Sequence, residues 1–342
     1  MYWMITNRNV TSDDAGNVNG LGHDFSDLTY WQNQTADANT LTNLATWRQF
    51  ASVDDFVAAL ARVADTFPHP LMTPTEDQKH VNLFVHGFDN TWQSAVQRYS
   101  SIVANLFSGS NSMGECVLFT WPSEGSTLGY FPDRAEARQS AEDLADVLSI
   151  LYEWMRDKQV QGAEDPQQAC KAKTSLIAHS MGNYVLENAM NVVWTRQNRP
   201  LLMSLINQLL MVAADVDNDI FGAGETVEHG DGEGIANFSY RVTALYSGRD
   251  SVLGMSAGLK HFGKRRLGRS GLDRTLPLPD NVWDVDCSSL FAPNLNGVQI
   301  HGAYFDEPKC YALMRLLLRG IDRGVLAAKG ELPPPLSQAQ SA

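Results

Sequence analysis

Six short apolar runs punctuate the chain, and each ends in a turn. They are VNLFVHG (81–87), CVLFTWP (116–122), TSLIAHS (174–180), QLLMVAADVD (208–217), RVTALYSGRD (241–250) and NVWDVD (281–286). Runs this short and this continuously apolar predict strands of a mainly parallel sheet buried on both faces. Between them lie patterns of helical period. Arg134 to Met155 puts Ala141, Leu144, Leu148 and Leu151 on one stripe, and Met181 to Thr195 does the same with Val185, Ala189 and Val193. Strand alternating with helix predicts an α/β architecture, a mainly parallel sheet flanked by helices on both faces.

Outside these units the pattern weakens. YWMIT near the start reads as an early strand, and Ser52 followed by Asp54 and Asp55 reads as the start of a helix reaching about Thr66. The rest of residues 10–70 is expected to be an irregular addition to a single domain spanning 1–328. Glycine and acidic residues crowd 221–237, a loop composition, and the proline triplet in 329–342 predicts a disordered tail. No fixed-period repeat is visible.

Composition narrows the partners. The chain has 342 residues, 44% hydrophobic, with a formal net charge of −13. That balance argues against nucleic acid and against electrostatic docking on anionic lipid, both of which need a basic face. One local exception, Lys260 to Arg274, carries six cations and reads as a solvated basic face. Four scattered cysteines (Cys116, Cys170, Cys287, Cys310) form no C-x-x-C pair, so neither a disulfide scaffold nor a zinc ribbon organises the fold. No secretory leader and no apolar run of membrane-spanning length is visible, which predicts a cytoplasmic protein without integral membrane association.

The candidate chemistry centres on LIAHSMGN (176–183). Serine needs a nearby base, an orienting acid and donors for an oxyanion before it becomes a useful nucleophile. A strand–Ser–helix turn supplies the setting, provided its flanking residues are small. Gly182 and Ala178 satisfy that demand, so A-x-S-x-G serves where G-x-S-x-G is more familiar. Upstream, VHGFDN (85–90) closes a strand where a second oxyanion donor belongs. The backbone N–H of Phe88 would pair with that of Met181. His86 and His179 read as structural. His301, in GVQIHGAYF, comes last in chain order and is the expected base. For the acid, Asp250 at the end of RVTALYSGRD is favoured, with Asp215 and Asp217 as alternatives. Trp92, Trp121 and Tyr130 follow strand ends, where they would either line an acyl pocket or pack.

These pieces in this order (TNRN, FVHGFDN, FTWPSEG, LIAHSMGNYVL, AADVDND, YSGRD, IHGAYF) resemble the α/β-hydrolase superfamily, and within it the esterase/lipase-like group DUF900. The resemblance spans roughly residues 4–318. It implies the α/β-hydrolase fold with Ser180 as nucleophile, His301 as base, Asp250 as acid, and Phe88 and Met181 as oxyanion donors. The activity so implied is a serine hydrolase of esterase or lipase type acting on small-molecule carboxylic esters through an acyl-enzyme, with no cofactor and no metal. The glycine- and acid-rich 221–237 makes a poor apolar lid, so short or medium acyl chains are expected. Two rivals stand beside it. One is a catalytically idle fold of the same kind used for binding or scaffolding. The other is a metal-dependent hydrolase built on AADVDND, which no ligand spacing supports.

Overall fold

A computed structural model describes residues 1–35, 37–88, 91–123, 130–196, 204–222, 232–260 and 263–334. The chain divides into two compact units, Met1–Thr174 and Ser175–Ala342.

The first unit contains β1 (Tyr2–Ser12), β2 (Val18–Asn33), β3 (Arg48–Gln49), α1 (Val53–Ala64), β4 (Lys79–Val85), α2 (Trp92–Leu106), β5 (Gly114–Thr120) and α3 (Tyr130–Glu164). Its strands lie in the order β3-β2-β1-β5-β4. The pairs β1–β5 and β4–β5 are parallel, whereas β2 is antiparallel to both its neighbours. Residues 10–70 are therefore more regular than their pattern predicts. β2 alone pairs with β1 from Tyr2 opposite Asn33 to Ser12 opposite Val18. Its residues are largely half-buried or exposed, so it carries glycine and aspartate where a buried strand would carry aliphatics. The ladder to β1, not an apolar run, makes it a strand. α1 begins as expected, with the Ser52 hydroxyl accepting from Asp55 N at 3.2 Å.

Two sequence motifs have structural roles in this unit. Arg8, of TNRN, is fully buried and donates from Nε to Thr120 Oγ1 (3.1 Å) and from Nη1 to the Gly22 carbonyl (3.0 Å). His86 donates from Nδ1 to the Gly87 carbonyl (2.8 Å), while its Nε2 accepts from Trp121 N (3.2 Å) and faces Thr120 Oγ1 (3.0 Å). Burial, reinforced by the Arg8 charge, lowers the His86 pKa to about 3, so its imidazole is neutral. Trp121 stacks on this ring and, like Trp92, is fully buried; both pack in the core. The Tyr130 side chain lies outside the described residues.

The second unit opens within β6 (Ala172–His179) and continues through α4 (Gly182–Arg196), β7 (Ile206–Val212), α5 (Glu233–Phe238), β8 (Ser239–Tyr246) and α6 (Ser251–Met255). A π-helical turn, Ser256–Lys260, follows, and then α7 (Leu267–Ser270), β9 (Val282–Asp286), α8 (Gly297–Ala303), α9 (Pro308–Leu318) and α10 (Arg323–Ala328). Strands β6-β7-β8-β9 are parallel throughout. Leu209, Leu210, Met211 and Val212 are consecutive and all fully buried, so helices cover β7 on both faces. Part of the glycine-rich 221–237 stretch is helical: α5 buries Ile235 and Phe238. Residues 223–231 and 335–342 of the expected loop and tail lie outside the described residues. Among the described residues, no helix is long and apolar enough to cross a membrane. The four cysteines are free thiols.

Candidate active site

Ser180 directly follows strand β6, and its φ is 52°. A β-carbon in this left-handed region is crowded against the following carbonyl, so a non-glycine residue stays there only when its surroundings hold it. The surroundings here are explicit. Ser180 N donates to the Val212 carbonyl (3.0 Å), and the Ser180 carbonyl accepts from Asp215 N (3.1 Å) and Asn183 N (3.1 Å). The Asn183 side chain adds Nδ2 bonds to the carbonyls of Ala178 (2.9 Å) and Ser180 (3.1 Å). Ala178 is fully buried, so its methyl fits the turn where the more familiar pattern has glycine. Helix α4 starts two residues after the serine. Among the described residues, the Met181 N–H has no acceptor, and it sits where the helix presents its positive end.

Asp250 lies in the turn after β8 and caps α6. Its Oδ1 accepts from Leu253 N at 3.0 Å, and its Oδ2 is 2.7 Å from His301 Nδ1. The carboxylate is fully buried with both oxygens engaged. His301 is carried by α8, which begins with a capping box. Asn296 Oδ1 accepts from Val298 N and Gln299 N, and Gln299 Oε1 accepts from Asn296 N. At Gly297 a β-carbon would stand 2.6 Å from Ser251 Oγ and 2.7 Å from the Arg249 carbonyl, so glycine lets α8 approach the Asp250 turn closely. His301 Nε2 is 2.8 Å from Ser180 Oγ. With Nδ1–H donating to Asp250, Nε2 is left as the acceptor for the serine hydroxyl.

The structure thus brings together Ser180, His301 and Asp250, and it pairs the carboxylates of the alternative acids with other side chains. Asp215 Oδ1 accepts from Arg266 Nε (2.8 Å) and Ser256 Oγ (2.9 Å). Asp217 takes Lys264 Nζ (2.9 Å) and Arg266 Nη1. These contacts correct the reading of the basic run as a solvated face only in part: Lys264, Arg265 and Arg274 are exposed as expected, whereas Arg266 is not. Arg266 is buried in its ion pairs, Arg269 donates to the Asp250 carbonyl, and Arg274 binds Asp284. Arg266 is drawn inward by Asp215 and Asp217, a partnership between residues about fifty positions apart that local composition does not encode. At Gly268 a β-carbon would meet the Ala213 backbone at 2.2 Å, so glycine admits α7 beside the site.

His179 behaves as a packing and bonding residue. Its Nε2 is 2.9 Å from the His301 carbonyl, and its ring lies against those of His301 and Phe305. Two contributors escaped the sequence reading. Asn183 braces the serine turn, and its only signal is an asparagine in the first turn of α4. Arg249 directs its guanidinium at the carbonyls of Ser288 (3.3 Å), Phe291 (3.2 Å), Ala292 (3.2 Å), Pro293 (3.3 Å) and Leu295 (3.0 Å). It thereby fixes the loop leading into α8. Phe88 belongs to the first unit, and Asp89 and Asn90 of its motif lie outside the described residues. Among the described residues, no group of three or more His, Cys, Asp or Glu side chains is arranged to hold a metal ion.

Comparison with known proteins adds the family. An uncharacterized protein of Nostoc sp. (strain PCC 7120), alr1448, is 29% identical over 32% of this chain, and the match spans 31% of that protein's own length. Among solved structures, Aspergillus fumigatus lipase B is 12% identical with a TM-score of 0.40, over 85% of this chain and 64% of its own. A Pyrobaculum calidifontis esterase is 11% identical with a TM-score of 0.33, over 73% and 78%. Phospholipase PlaB from Legionella pneumophila is 13% identical with a TM-score of 0.35, over 74% and 62%. Scores of this size carry no functional assignment. The family model described as "Alpha/beta hydrolase of unknown function (DUF900)" matches residues 66–275, well over half the chain. With the parallel β6–β9 sheet and the strand–Ser180–helix turn inside or beside that match, the chain belongs to the DUF900 family of alpha/beta hydrolases.

Proposed function

We propose that this protein is a serine hydrolase that cleaves carboxylic esters of short or medium acyl chain. The observation that carries the reading is the unbroken hydrogen-bond chain from Ser180 Oγ through His301 to Asp250, at 2.8 and 2.7 Å, with the serine on a left-handed turn. Ser180 Oγ attacks the ester carbonyl carbon while His301 Nε2 takes its proton. Asp250 holds the imidazole in the tautomer that accepts at Nε2 and stabilises the imidazolium. The negative charge that develops on the carbonyl oxygen is received by the N–H of Met181, at the positive end of α4. The tetrahedral adduct then expels the alkoxide, which leaves as the alcohol with the proton from His301. Water, deprotonated by the same nitrogen, attacks the acyl-enzyme, and its collapse returns the hydroxyl to Ser180 and releases the carboxylic acid.

Turnover of a short 4-nitrophenyl acyl ester tests the assignment. Ser180→Ala is expected to abolish it, and Asp250→Asn to lower it about 10⁴-fold. Asp215→Asn and Asp217→Asn, whose carboxylates bind Arg266, retain it far better. Near-normal turnover by Asp250→Asn would remove Asp250 from the role.

A further inference from the structure

Strands β6 and β8, which deliver Ser180 and Asp250, are not neighbours, because β7 lies between them. No ladder bond joins them, so the spacing of the two turns depends on what binds them beyond the strand ends. One such connection starts at Asp215. Its N–H donates to the Ser180 carbonyl (3.1 Å), and its buried carboxylate accepts from Arg266 Nε (2.8 Å). Arg266 also donates from Nη2 to the Asp215 carbonyl, which makes the grip two-pronged. Arg266 immediately precedes α7, whose backbone is bound to the same segment. Leu267 N donates to the Val216 carbonyl and Gly268 N to the Ala214 carbonyl, both at 2.9 Å.

The other end of α7 holds the turn of the acid. The Gly268 carbonyl accepts from Ser247 N (3.0 Å), and Arg269 Nη1 donates to the Asp250 carbonyl. That carbonyl also opens α6, but its helical bond from Gly254 N is long at 3.4 Å, so the charged donor is the firmer partner. A return path runs through α6 itself. Asp250 is its N-cap, Ser256 follows its last residue, and Ser256 Oγ donates to Asp215 Oδ1 (2.9 Å). The Ser180 turn and the Asp250 turn are thus joined in a closed ring of bonds in which α7 is one side.

We infer that Arg269 is a positioning residue for ester cleavage: by holding the Asp250 carbonyl, it lets α7 fix the acid, and with it His301, at a set spacing from Ser180. The inference rests on the reading of Ser180, His301 and Asp250 as the reacting groups. Arg269 touches none of the reacting atoms. It acts through Asp250, whose carboxylate holds His301 Nδ1 at 2.7 Å. Misplacement of a reacting group by a single ångström can cost about 10²-fold in rate, so a tether of this kind has a measurable effect. Arg266 anchors the opposite end, but its removal would strand the buried Asp215 carboxylate and endanger folding. Arg269 is therefore the side chain to change.

The full chain is assayed with 4-nitrophenyl butyrate. In parallel, the ¹⁵N-histidine-labelled protein is examined by NMR for the His301 Nδ1–H, assigned by its absence from His301→Gln. Arg269→Met should lower kcat about tenfold with KM changed by less than about twofold, and should displace the Nδ1–H resonance. Arg269→Lys keeps a charged donor for a single carbonyl and should recover most of the loss. Gly254→Ala reaches the same contact from α6, where a β-carbon would stand 3.2 Å from the Arg269 guanidinium and push it off the carbonyl. Alanine also favours the helix, so kcat should fall about threefold with no loss of melting temperature, a combination that a merely structural arginine would not give. Gly254→Ala carries the test should Arg269→Met fail to fold. Arg274→Met removes a cation of the same run that binds Asp284 instead, and should leave kcat and the resonance unchanged. Folded Arg269→Met with wild-type kcat and resonance overturns the inference, as does an equal loss in Arg274→Met. Wild-type protein without turnover would count against ester cleavage instead, and the resonance would then decide the role of Arg269.

Discussion

Ser180 illustrates how a reactive residue is held in an unfavourable backbone. Its φ of 52° disfavours any side chain beyond glycine, typically by about 1–3 kcal/mol. The bonds from Val212, Asp215 and Asn183 keep it there and aim its hydroxyl at His301. Ser180→Gly should therefore be more stable than Ser180→Ala by about 1 kcal/mol, since alanine retains the crowded β-carbon and glycine removes it. Urea unfolding of the two inactive variants checks this; equal midpoints would mean that the turn is not strained. At this scale the sequence was informative where chemistry forces a residue type and an order along the chain. Ser180, Asp250 and His301 could be read that way. Asn183 could not, because one amide bracing two carbonyls leaves no pattern among neighbouring positions.

Among the elements, α8 depends on a side chain that precedes it by about fifty residues. The Arg249 fork reaches five carbonyls between Ser288 and Leu295, and so sets where α8 and His301 begin. Lysine keeps the charge but lacks the planar fork. Arg249→Lys is expected to destabilise the protein by about 2 kcal/mol or more and to lower ester turnover about tenfold. It should also expose 288–296 to limited proteolysis. Unchanged turnover and cleavage would show that the loop is positioned without it. The strands β4 to β9 were legible because each is a short, mostly apolar run that ends in a turn. β2 was not, since it is half-exposed and takes its order from the ladder to β1. Within the basic run Arg266 misled for a related reason: whether a cation faces water or a buried carboxylate such as Asp215 depends on partners distant in sequence.

For the molecule as a whole, the buried histidines of the first unit predict an acid sensitivity distinct from catalysis. Burial lowers the pKa values of both His80 and His86 to about 3, with a further contribution from nearby cations. The unfolded chain takes up these protons below about pH 6.5, whereas the folded chain resists until about pH 3. Stability from this source is complete above pH 6.5 and is lost as pH falls through that window, by about 1.4 kcal/mol per pH unit for each histidine. Both His80 ring nitrogens lack a partner among the described residues, so His80→Leu forfeits no hydrogen bond seen there. Urea unfolding between pH 7 and pH 4 should show a shallower loss for His80→Leu than for the wild type; parallel curves would contradict the buried neutral histidine. The central claim, an activated Ser180, is tested most directly by intact-mass and peptide analysis after exposure to a fluorophosphonate. The account predicts one covalent adduct per chain on the peptide that contains Ser180, absent in Ser180→Ala and formed far more slowly in His301→Ala. Folded wild-type protein that carries no adduct at Ser180 would contradict it.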